Sequence, residues 1–181
     1  MLTFRRPHSR FLTQRDRIRS SCIVMRQGFT LSELVIAVLV MGILAATAVP
    51  QYSVMLNHYR VEGAAAQLAA DLNWARRHAR QKGANQPVNF TLPFQYAMPG
   101  MSDPDHPSQG FVVDFTQSHP GVSILSVDFD SNTTATFDLY GRPCTGSPLV
   151  PLAANGIVTL AAGGETRTVT LHAVSGRVSS P

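Results

Sequence analysis

Hydrophobic side chains follow one another almost without interruption over residues 34–49, whose sequence is LVIAVLVMGILAATAV. This run of 16 residues is shorter than the roughly 20 residues that a helix needs to cross a bilayer. Leu31 on one side and the residues after Pro50 on the other lengthen it. The pattern therefore predicts a membrane-spanning helix over residues 29–53.

After Pro50 the apolar positions continue at helical spacing, but on one side only. The stripe consists of Val54, Val61, Ala65, Leu68, Leu72, Ala75 and Ala79. Such a stripe predicts an amphipathic helix packed on a sheet, with Trp74 as an anchor at the contact and an end near Gly83. Pro50 lacks an amide donor and is expected to kink an otherwise nearly continuous helix over residues 31–82.

From about residue 87 the hydrophobic period changes to alternation, which predicts strands. The predicted strands cover residues 88–92, 110–115, 122–129, 134–140, 157–161 and 166–173. Gly163-Gly164 between the last two indicates a hairpin turn, and the proline-rich stretches 99–110 and 143–151 are predicted loops. The fold class is therefore α+β: a long N-terminal helix whose second half packs on a C-terminal antiparallel sheet, with a globular domain over residues 54–181.

The positive charge of the chain belongs to its first 28 residues. Seven arginines and one aspartate give residues 1–28 a formal charge of +6, while eight basic and ten acidic side chains give residues 29–181 a charge of −2. A basic segment before an apolar helix is typical of a cytoplasmic N-terminal side. The charge thus predicts a single-pass membrane protein whose distal domain lies across the membrane.

A secretory signal peptide is the main alternative at the N-terminus. Ala46-Thr47-Ala48 offers an A-x-A cleavage pattern, which would make Val49 the first mature residue. The Arg-rich leader also has the composition of a transit peptide, and Arg5-Arg6 matches part of a twin-arginine signal. Glu33 at the start of the apolar run argues against these alternatives.

The stretch Gly28-Phe29-Thr30-Leu31-Ser32-Glu33 stands directly before the apolar run. Thr30 and Glu33 fit the T-x-x-E capping box, in which both side chains bind orphan amides at a helix start. The ordered set of a basic leader ending in Gly, then Phe-Thr-Leu-x-Glu, then an apolar helix resembles the type IV prepilin family, which includes pilins and the pseudopilins of type II secretion.

The resemblance implies specific roles for three of these residues. A prepilin peptidase would cut between Gly28 and Phe29 and methylate the amine of Phe29, after a leader of residues 1–28, or a shorter one if Met25 is the start. Glu33 would pair with the N-terminal amine of a neighbouring subunit. The implied partners are the peptidase, other pseudopilins or pilins, an assembly platform in the bacterial inner membrane, and membrane lipid. The leader would be cytoplasmic and the distal domain periplasmic.

Three later segments resemble one branch of that family, the minor pseudopilin H and FimT/FimU group. They are residues 74–80 (WARRHAR), 136–143 (TFDLYGRP) and 175–178 (SGRV). This resemblance implies a minor pseudopilin that takes part in protein export across the outer membrane. The alternative is a minor pilin of a type IV pilus, of the FimU or FimT kind.

FimT-like members suggest DNA contacts, for which Arg177, Arg76, Arg77 and Arg80 are the candidates. Their G-R-x-R motif is incomplete here, because Ser179 stands in place of the second arginine. Since the chain after the leader is also acidic, nucleic acid is not an expected partner.

No enzyme motif is present, so neither a catalytic residue nor a cofactor is predicted. Asp103, Asp105 and His106 form a polar loop in which a metal site is conceivable, but a solvated loop is the preferred interpretation, and no metal is predicted. His58 and His78 are expected on the surface, and Cys144 is expected to be a lone thiol without a role.

Overall fold

A computed structural model describes residues 28–180 of the protein. The predictions for the basic leader and for the choice between Met1 and Met25 as start lie outside the described residues. The side chains of residues 47–50, which include Pro50 and most of the A-x-A pattern, also lie outside them. The described residues fall into two units, with the division between Met41 and Gly42.

The first element is one α-helix, α1 (Leu31–Lys82), and the helical backbone continues through Pro50. It contains the only stretch within residues 28–180 that is long and apolar enough to cross a membrane, and none of that stretch is buried. Its first described residues carry exposed apolar side chains on every side. This matches the helix predicted from the run 34–49.

The later part of α1 packs through the predicted apolar stripe. Val61, Ala65, Leu68, Leu72, Ala75 and Ala79 are all buried in the core of the second unit. Trp74 packs edge-to-face on Phe111, with ring centroids 5.2 Å apart, which confirms it as an anchor. The prediction for Val54 is wrong: its side chain is 54% exposed, because the buried part of the stripe begins only at Val61.

Ten strands and one short helix follow α1. They are β1 (Gln86–Thr91), β2 (Gln95–Ser102), β3 (Gly110–Asp114), α2 (Phe115–Ser118), β4 (Ser123–Asp128), β5 (Thr134–Phe137), β6 (Pro143–Thr145), β7 (Val150–Pro151), β8 (Gly156–Ala162), β9 (Glu165–Leu171) and β10 (Val178–Ser179).

The strands form two antiparallel sheets. The larger sheet has the order β3-β2-β1-β5-β6-β7, and the smaller has the order β10-β9-β8-β4. Side chains from both sheets and from α1 share one hydrophobic core. The predicted α+β arrangement of a long helix packed on antiparallel sheet is therefore confirmed, and the sheet is divided in two.

Proline and glycine residues in the larger sheet led to the prediction of loops at positions where the structure has strands. The loop predicted over residues 99–110 is wrong at its start, because β2 extends to Ser102. Its register with β3 shifts between Met98 and Ser102, so Pro99 lies in an irregularity where its missing amide costs no ladder bond. The loop predicted over 143–151 likewise contains the short strands β6 and β7.

Two strand ends differ from the prediction for local reasons. β5 ends at Phe137 rather than at residue 140, because the carboxylate of Asp138 accepts the backbone N–H groups of Tyr140 and Arg142 and closes a turn. Phe115 opens α2 instead of ending β3, because Asp114 caps that helix by accepting the N–H of Thr116.

The predicted hairpin at Gly163-Gly164 is confirmed. Ala162 pairs with Glu165, which leaves only the two glycines in the loop between β8 and β9. Both have positive φ, at 56° and 94°, as the tight two-residue turns of hairpins require. This turn places the tip of the hairpin beside the middle of α1, where Gly163 faces Asn57.

Candidate functional site

The start of α1 is fixed by a reciprocal pair of hydrogen bonds between Thr30 and Glu33. The backbone N–H of Glu33 donates to Oγ1 of Thr30 at 3.3 Å, and the backbone N–H of Thr30 donates to Oε2 of Glu33 at 3.4 Å. This is the capping box that the T-x-x-E pattern predicted. The carboxylate also lies in the first turn, where the helix dipole favours negative charge.

The residues around the expected cleavage position are exposed. Phe29 has 82% of its surface accessible, and Gly28 is also exposed. Glu33 is exposed as well, and within residues 28–180 it takes part in no ion pair. The motif therefore presents an accessible Gly28–Phe29 peptide bond, followed one helical turn later by an accessible carboxylate.

The three segments that resemble the H and FimT/FimU group come together at the end of α1. Nε of Arg76 donates a hydrogen bond of 3.2 Å to the carbonyl oxygen of Gly141. Gly176 packs so closely on Gly141 that a Cβ at position 176 would overlap this same carbonyl oxygen. A contact between residues 76, 141 and 176 thus joins the helix end, the turn after β5 and the turn before β10.

The four arginines proposed for DNA contact do not share one environment. Arg76 is half-buried and holds the Gly141 carbonyl, so its role in the structure is to fix the turn. The stem of Arg80 packs beside Gly141, with Cδ 2.8 Å from where a Cβ would lie. Arg77 and Arg177 are exposed, and Arg77 lines a small groove of about 310 Å³ with Arg80 and Gln81.

The polar loop with Asp103, Asp105 and His106 is held by its own hydrogen bonds. Oδ1 of Asp103 accepts the backbone N–H of Asp105 at 2.9 Å, and Oδ2 of Asp103 lies 3.6 Å from Nδ1 of His106. The part of the chain that the structure describes contains no group of three or more histidine, cysteine or acidic side chains arranged to hold a metal ion.

His78 is half-buried and Cys144 is buried. Nδ1 of His78 lies 3.0 Å from Oε1 of Gln86, a buried residue whose amide also donates to the carbonyl of Pro99. The side chain of His78 is therefore partly exposed, as a surface position requires, and also links α1 to β1. Cys144 is buried, and burial raises the pKa of its thiol, which makes it a poor nucleophile.

A buried polar contact between Asp71 and Tyr96 was not predicted. The Tyr96 hydroxyl donates to Oδ2 of Asp71 at 2.5 Å. Burial raises the pKa of the Asp71 carboxyl, and burial together with the neighbouring carboxylate raises the pKa of Tyr96 far above its usual range. The signal in the sequence is that Asp71 follows Ala64 and Leu68 at helical spacing, so an acid occupies a position on the apolar side.

Comparison with known proteins gives a match for the N-terminal segment and a likeness for the fold. Residues 24–49 match the model of the prokaryotic N-terminal methylation motif. No curated protein matches the chain in sequence. The fold resembles a crystal structure of the Pseudomonas aeruginosa (strain PAO1) type IV minor pilin FimU, with a TM-score of 0.50 and 14% identity over 68% of this chain and 90% of that chain. A second crystal form of that protein gives a TM-score of 0.47 and 16% identity over 66% and 91%.

At this level of identity, the likeness to FimU concerns the fold alone, while the motif match concerns the first helix alone. One is a similarity of sequence and the other a similarity of structure. The chain therefore carries a prepilin-like N-terminal methylation motif joined to a pilin-like fold, with which the minor pseudopilin H and FimT/FimU group is consistent.

Proposed function

We propose that the protein is a minor subunit of a filament of the type IV pilin class, and that it acts as a structural component rather than an enzyme. The observation that carries this proposal is the methylation motif over residues 24–49, directly followed by a pilin-like domain. The apolar helix supports a single membrane anchor. We infer that the anchor lies in the bacterial inner membrane, with the distal domain in the periplasm.

Processing is the first step of this proposal. A prepilin peptidase cuts the bond between Gly28 and Phe29 and methylates the new amine of Phe29. Both residues are exposed in the structure, which is what a protease needs in order to bind the chain around the scissile bond. The apolar helix then stays with the mature protein as its anchor.

Assembly is the second step, and Glu33 is the residue that drives it. An ionised carboxylate near the end of a membrane-spanning helix is unfavourable unless it is paired. The described part of the chain supplies hydrogen bonds to Glu33 but no cation. The N-terminal amine of a neighbouring subunit supplies that cation, and a charge-assisted pair of this kind is stronger than a neutral hydrogen bond.

Two machines are candidates for such a subunit. A type II secretion pseudopilus is the candidate that follows from the sequence resemblance to pseudopilin H. A type IV pilus is favoured by the likeness to FimU, which is a type IV minor pilin. Deletion of the gene separates them: loss of exported proteins from the medium supports the first, and loss of surface pili with export unchanged supports the second.

The decisive test of the class is the mass and N-terminal sequence of the protein extracted from membranes. A start at N-methylated Phe29 supports the proposal. A start at Val49 would show that the apolar segment is removed as a signal peptide, and the assembly role of Glu33 would be abandoned.

A further inference from the structure

An open groove of about 870 Å³ lies in the second unit, between α1 and the β8–β9 hairpin. It is lined by Ala46, Gln51, Val54, Met55, His58, Tyr59 and Glu165. Its volume falls within the range of roughly 300–1,000 Å³ that is usual for sites that bind small molecules. We call it the juxtamembrane groove, because Ala46 belongs to the apolar run of residues 34–49.

The floor of the juxtamembrane groove is apolar and uncovered. The side chains of Val54, Met55 and Tyr59 are each more than half exposed, although Val54 continues the stripe that is buried from Val61 onward. A contiguous set of exposed large apolar side chains marks an interaction surface more often than chance exposure does. The sheets cover the stripe farther along the helix, but they leave it open here.

The β8–β9 hairpin forms one wall of the groove and packs directly on α1. A Cβ at Gly163 would overlap the side-chain amide of Asn57, so the hairpin tip approaches α1 as closely as a glycine permits. The hairpin thereby places Glu165 and Arg167 beside His58. The groove is thus formed by two regular elements in contact rather than by a loop.

The rim of the groove carries both signs of charge. Nη2 of Arg167 lies 3.2 Å from Nε2 of His58, while Oε2 of Glu165 lies 3.7 Å from Nδ1 of the same ring. Oε2 of Glu62 lies 3.6 Å from Nε2 of His58. A guanidinium that has five N–H donors and two carboxylates that only accept therefore contact the same imidazole ring, that of His58. This arrangement complements a ligand that carries a negative and a positive group a few bonds apart.

The position of the groove along the helix points to a membrane lipid. A hydrocarbon core of about 30 Å takes up roughly 20 helical residues, so a span that begins at Leu31 ends near residue 50. Ala46 then lies inside the core, and Gln51, Val54 and Met55 lie at the level of the headgroups. The exposed Tyr52, two residues beyond that end, is an aromatic residue of the kind that favours this interface.

We propose that the juxtamembrane groove binds a phospholipid with a zwitterionic headgroup, of the phosphatidylethanolamine type. Its phosphate binds Arg167, its ammonium group binds Glu165, and the upper part of an acyl chain lies along Val54 and Met55. The proposal rests on the membrane anchor of the proposed function. It assigns to the subunit a lipid contact that holds the globular domain at the membrane surface before assembly.

The test uses the full chain in vesicles of phosphatidylethanolamine and phosphatidylglycerol. A trace of phosphatidylethanolamine with a photoreactive group on its acyl chain, near the glycerol, labels the protein on illumination, and mass spectrometry locates the label. We expect label on residues 51–59 in addition to residues 34–46. Arg167→Ala should lower the label on residues 51–59 by about three- to tenfold and leave residues 34–46 unchanged.

Two controls make the headgroup assignment specific. Arg177→Ala removes an exposed arginine outside the groove and should leave all labelling unchanged. Glu165→Gln should lower labelling by the phosphatidylethanolamine probe, but not by a phosphatidylglycerol probe, which has no ammonium group.

The outcomes separate this proposal from the proposed function. Label on residues 34–46 with none on 51–59, or label on 51–59 that Arg167→Ala does not change, would overturn the lipid site and leave the anchor intact. A crosslink from the groove to a neighbouring protein chain would overturn the lipid site in favour of a subunit contact. A mature protein that starts at Val49 and shows no label would overturn both.

Discussion

The buried hydroxyl of Tyr96 on β2 donates a hydrogen bond of 2.5 Å to Oδ2 of Asp71 on α1, and so joins the helix to the larger sheet. The contact is polar on a helix face that is otherwise apolar. Removal of the carboxylate leaves the buried Tyr96 hydroxyl without a partner, and removal of the hydroxyl takes the donor from a half-buried carboxylate. The cost of an unsatisfied group exceeds the gain from the bond itself.

Tyr96→Phe is expected to lower the free energy of unfolding by about 1–3 kcal/mol, because the Asp71 carboxylate loses its donor. The measurement is urea unfolding of the detergent-solubilised chain, followed by fluorescence of Trp74, the one tryptophan, at the helix–sheet contact. The double variant Asp71→Leu/Tyr96→Phe removes both polar groups and should be less destabilised than the single variant. Equal stability of Tyr96→Phe and the parent chain would contradict the prediction.

The same variant should show a pH-dependent difference. Burial raises the pKa of folded Asp71 above its ordinary value of 3.8, so the folded state holds this proton more tightly than the unfolded state. The resulting stabilisation is present below pH 3.8 and is lost as pH rises through the folded pKa. Because the Tyr96 bond lowers that pKa, the deficit of Tyr96→Phe should shrink as the solution is acidified.

His119 is expected to make the fold sensitive to mild acid. Its ring stacks on Phe115, its Nδ1 lies 2.7 Å from the carbonyl of Ser118, and its buried Nε2 has no hydrogen-bond partner among the residues described. Burial lowers the pKa of this imidazole below its ordinary value of 6.5. The unfolded chain therefore takes up the proton first, and stability is lost as pH falls from 6.5 through the folded pKa.

His119→Phe keeps an aromatic ring against Phe115 but removes the titration. Its free energy of unfolding should change less between pH 8 and pH 5 than that of the parent chain. If both proteins show the same pH dependence, the sensitivity arises at another group.

Gly176→Ala should be more destabilising than Gly164→Ala. Both glycines have positive φ, at 64° and 94°, so both substitutions carry the strain of about 1–2 kcal/mol that an L-residue meets there. Only a Cβ at position 176 would overlap the Gly141 carbonyl, since position 164 has open space around it. We expect a further loss of about 1–3 kcal/mol for Gly176→Ala in urea unfolding. Similar losses in the free energy of unfolding for the two variants would show that the turn at position 176 shifts to accommodate the Cβ at little energetic cost.

Glu33→Gln and Thr30→Ala separate helix capping from assembly. Glutamine keeps the capping box but has no charge, whereas Thr30→Ala removes the cap and keeps the carboxylate. Both variants should be cleaved after Gly28. Only Glu33→Gln should fail to crosslink to neighbouring subunits in membranes, and normal crosslinking of this variant would refute the charge pairing.

Processed protein that begins at Phe29 should not retard duplex DNA at low salt. Acidic side chains outnumber basic ones in residues 29–181, and the Arg76 side chain is hydrogen-bonded to the carbonyl of Gly141. The measurement is a gel-retardation titration of the detergent-solubilised protein. Retardation that weakens steeply with salt and falls in Arg177→Ala would instead support a DNA receptor.

Regular patterns allowed most of the fold to be predicted. The unbroken apolar run, the stripe from Val61 to Ala79 and the glycine pair at 163–164 each depend on neighbours close in sequence, and all three are confirmed. Strand β2 was not predicted, because Pro99 and Gly100 are tolerated in a strand only where the hydrogen bonding between strands is irregular. That irregularity depends on the pairing with β3. The three-residue β6 and two-residue β7 are too short to show a period.

The sites were predictable only where the chemistry is local. The capping box and the cleavage motif lie within six consecutive residues, so the pattern contains them. The partnership of Asp71 with Tyr96, and that of Arg76 with Gly141, joins positions 25 and 65 residues apart. The open groove beside Val54 also depends on where the sheets end, which periodicity along a helix does not encode.

The contact between Arg76, Gly141 and Gly176 joins positions that are added to the growing chain at widely separated times. The helix end is made early and the last of its partners much later, because chains are synthesised from the N-terminus. The carbonyl of Gly141 is available to Arg76 before Gly176 exists, but the turn is covered only when position 176 has arrived. The residues of α1 are therefore synthesised long before the contact at its end can be completed, so the last packing of the domain has to wait for the final residues of the chain.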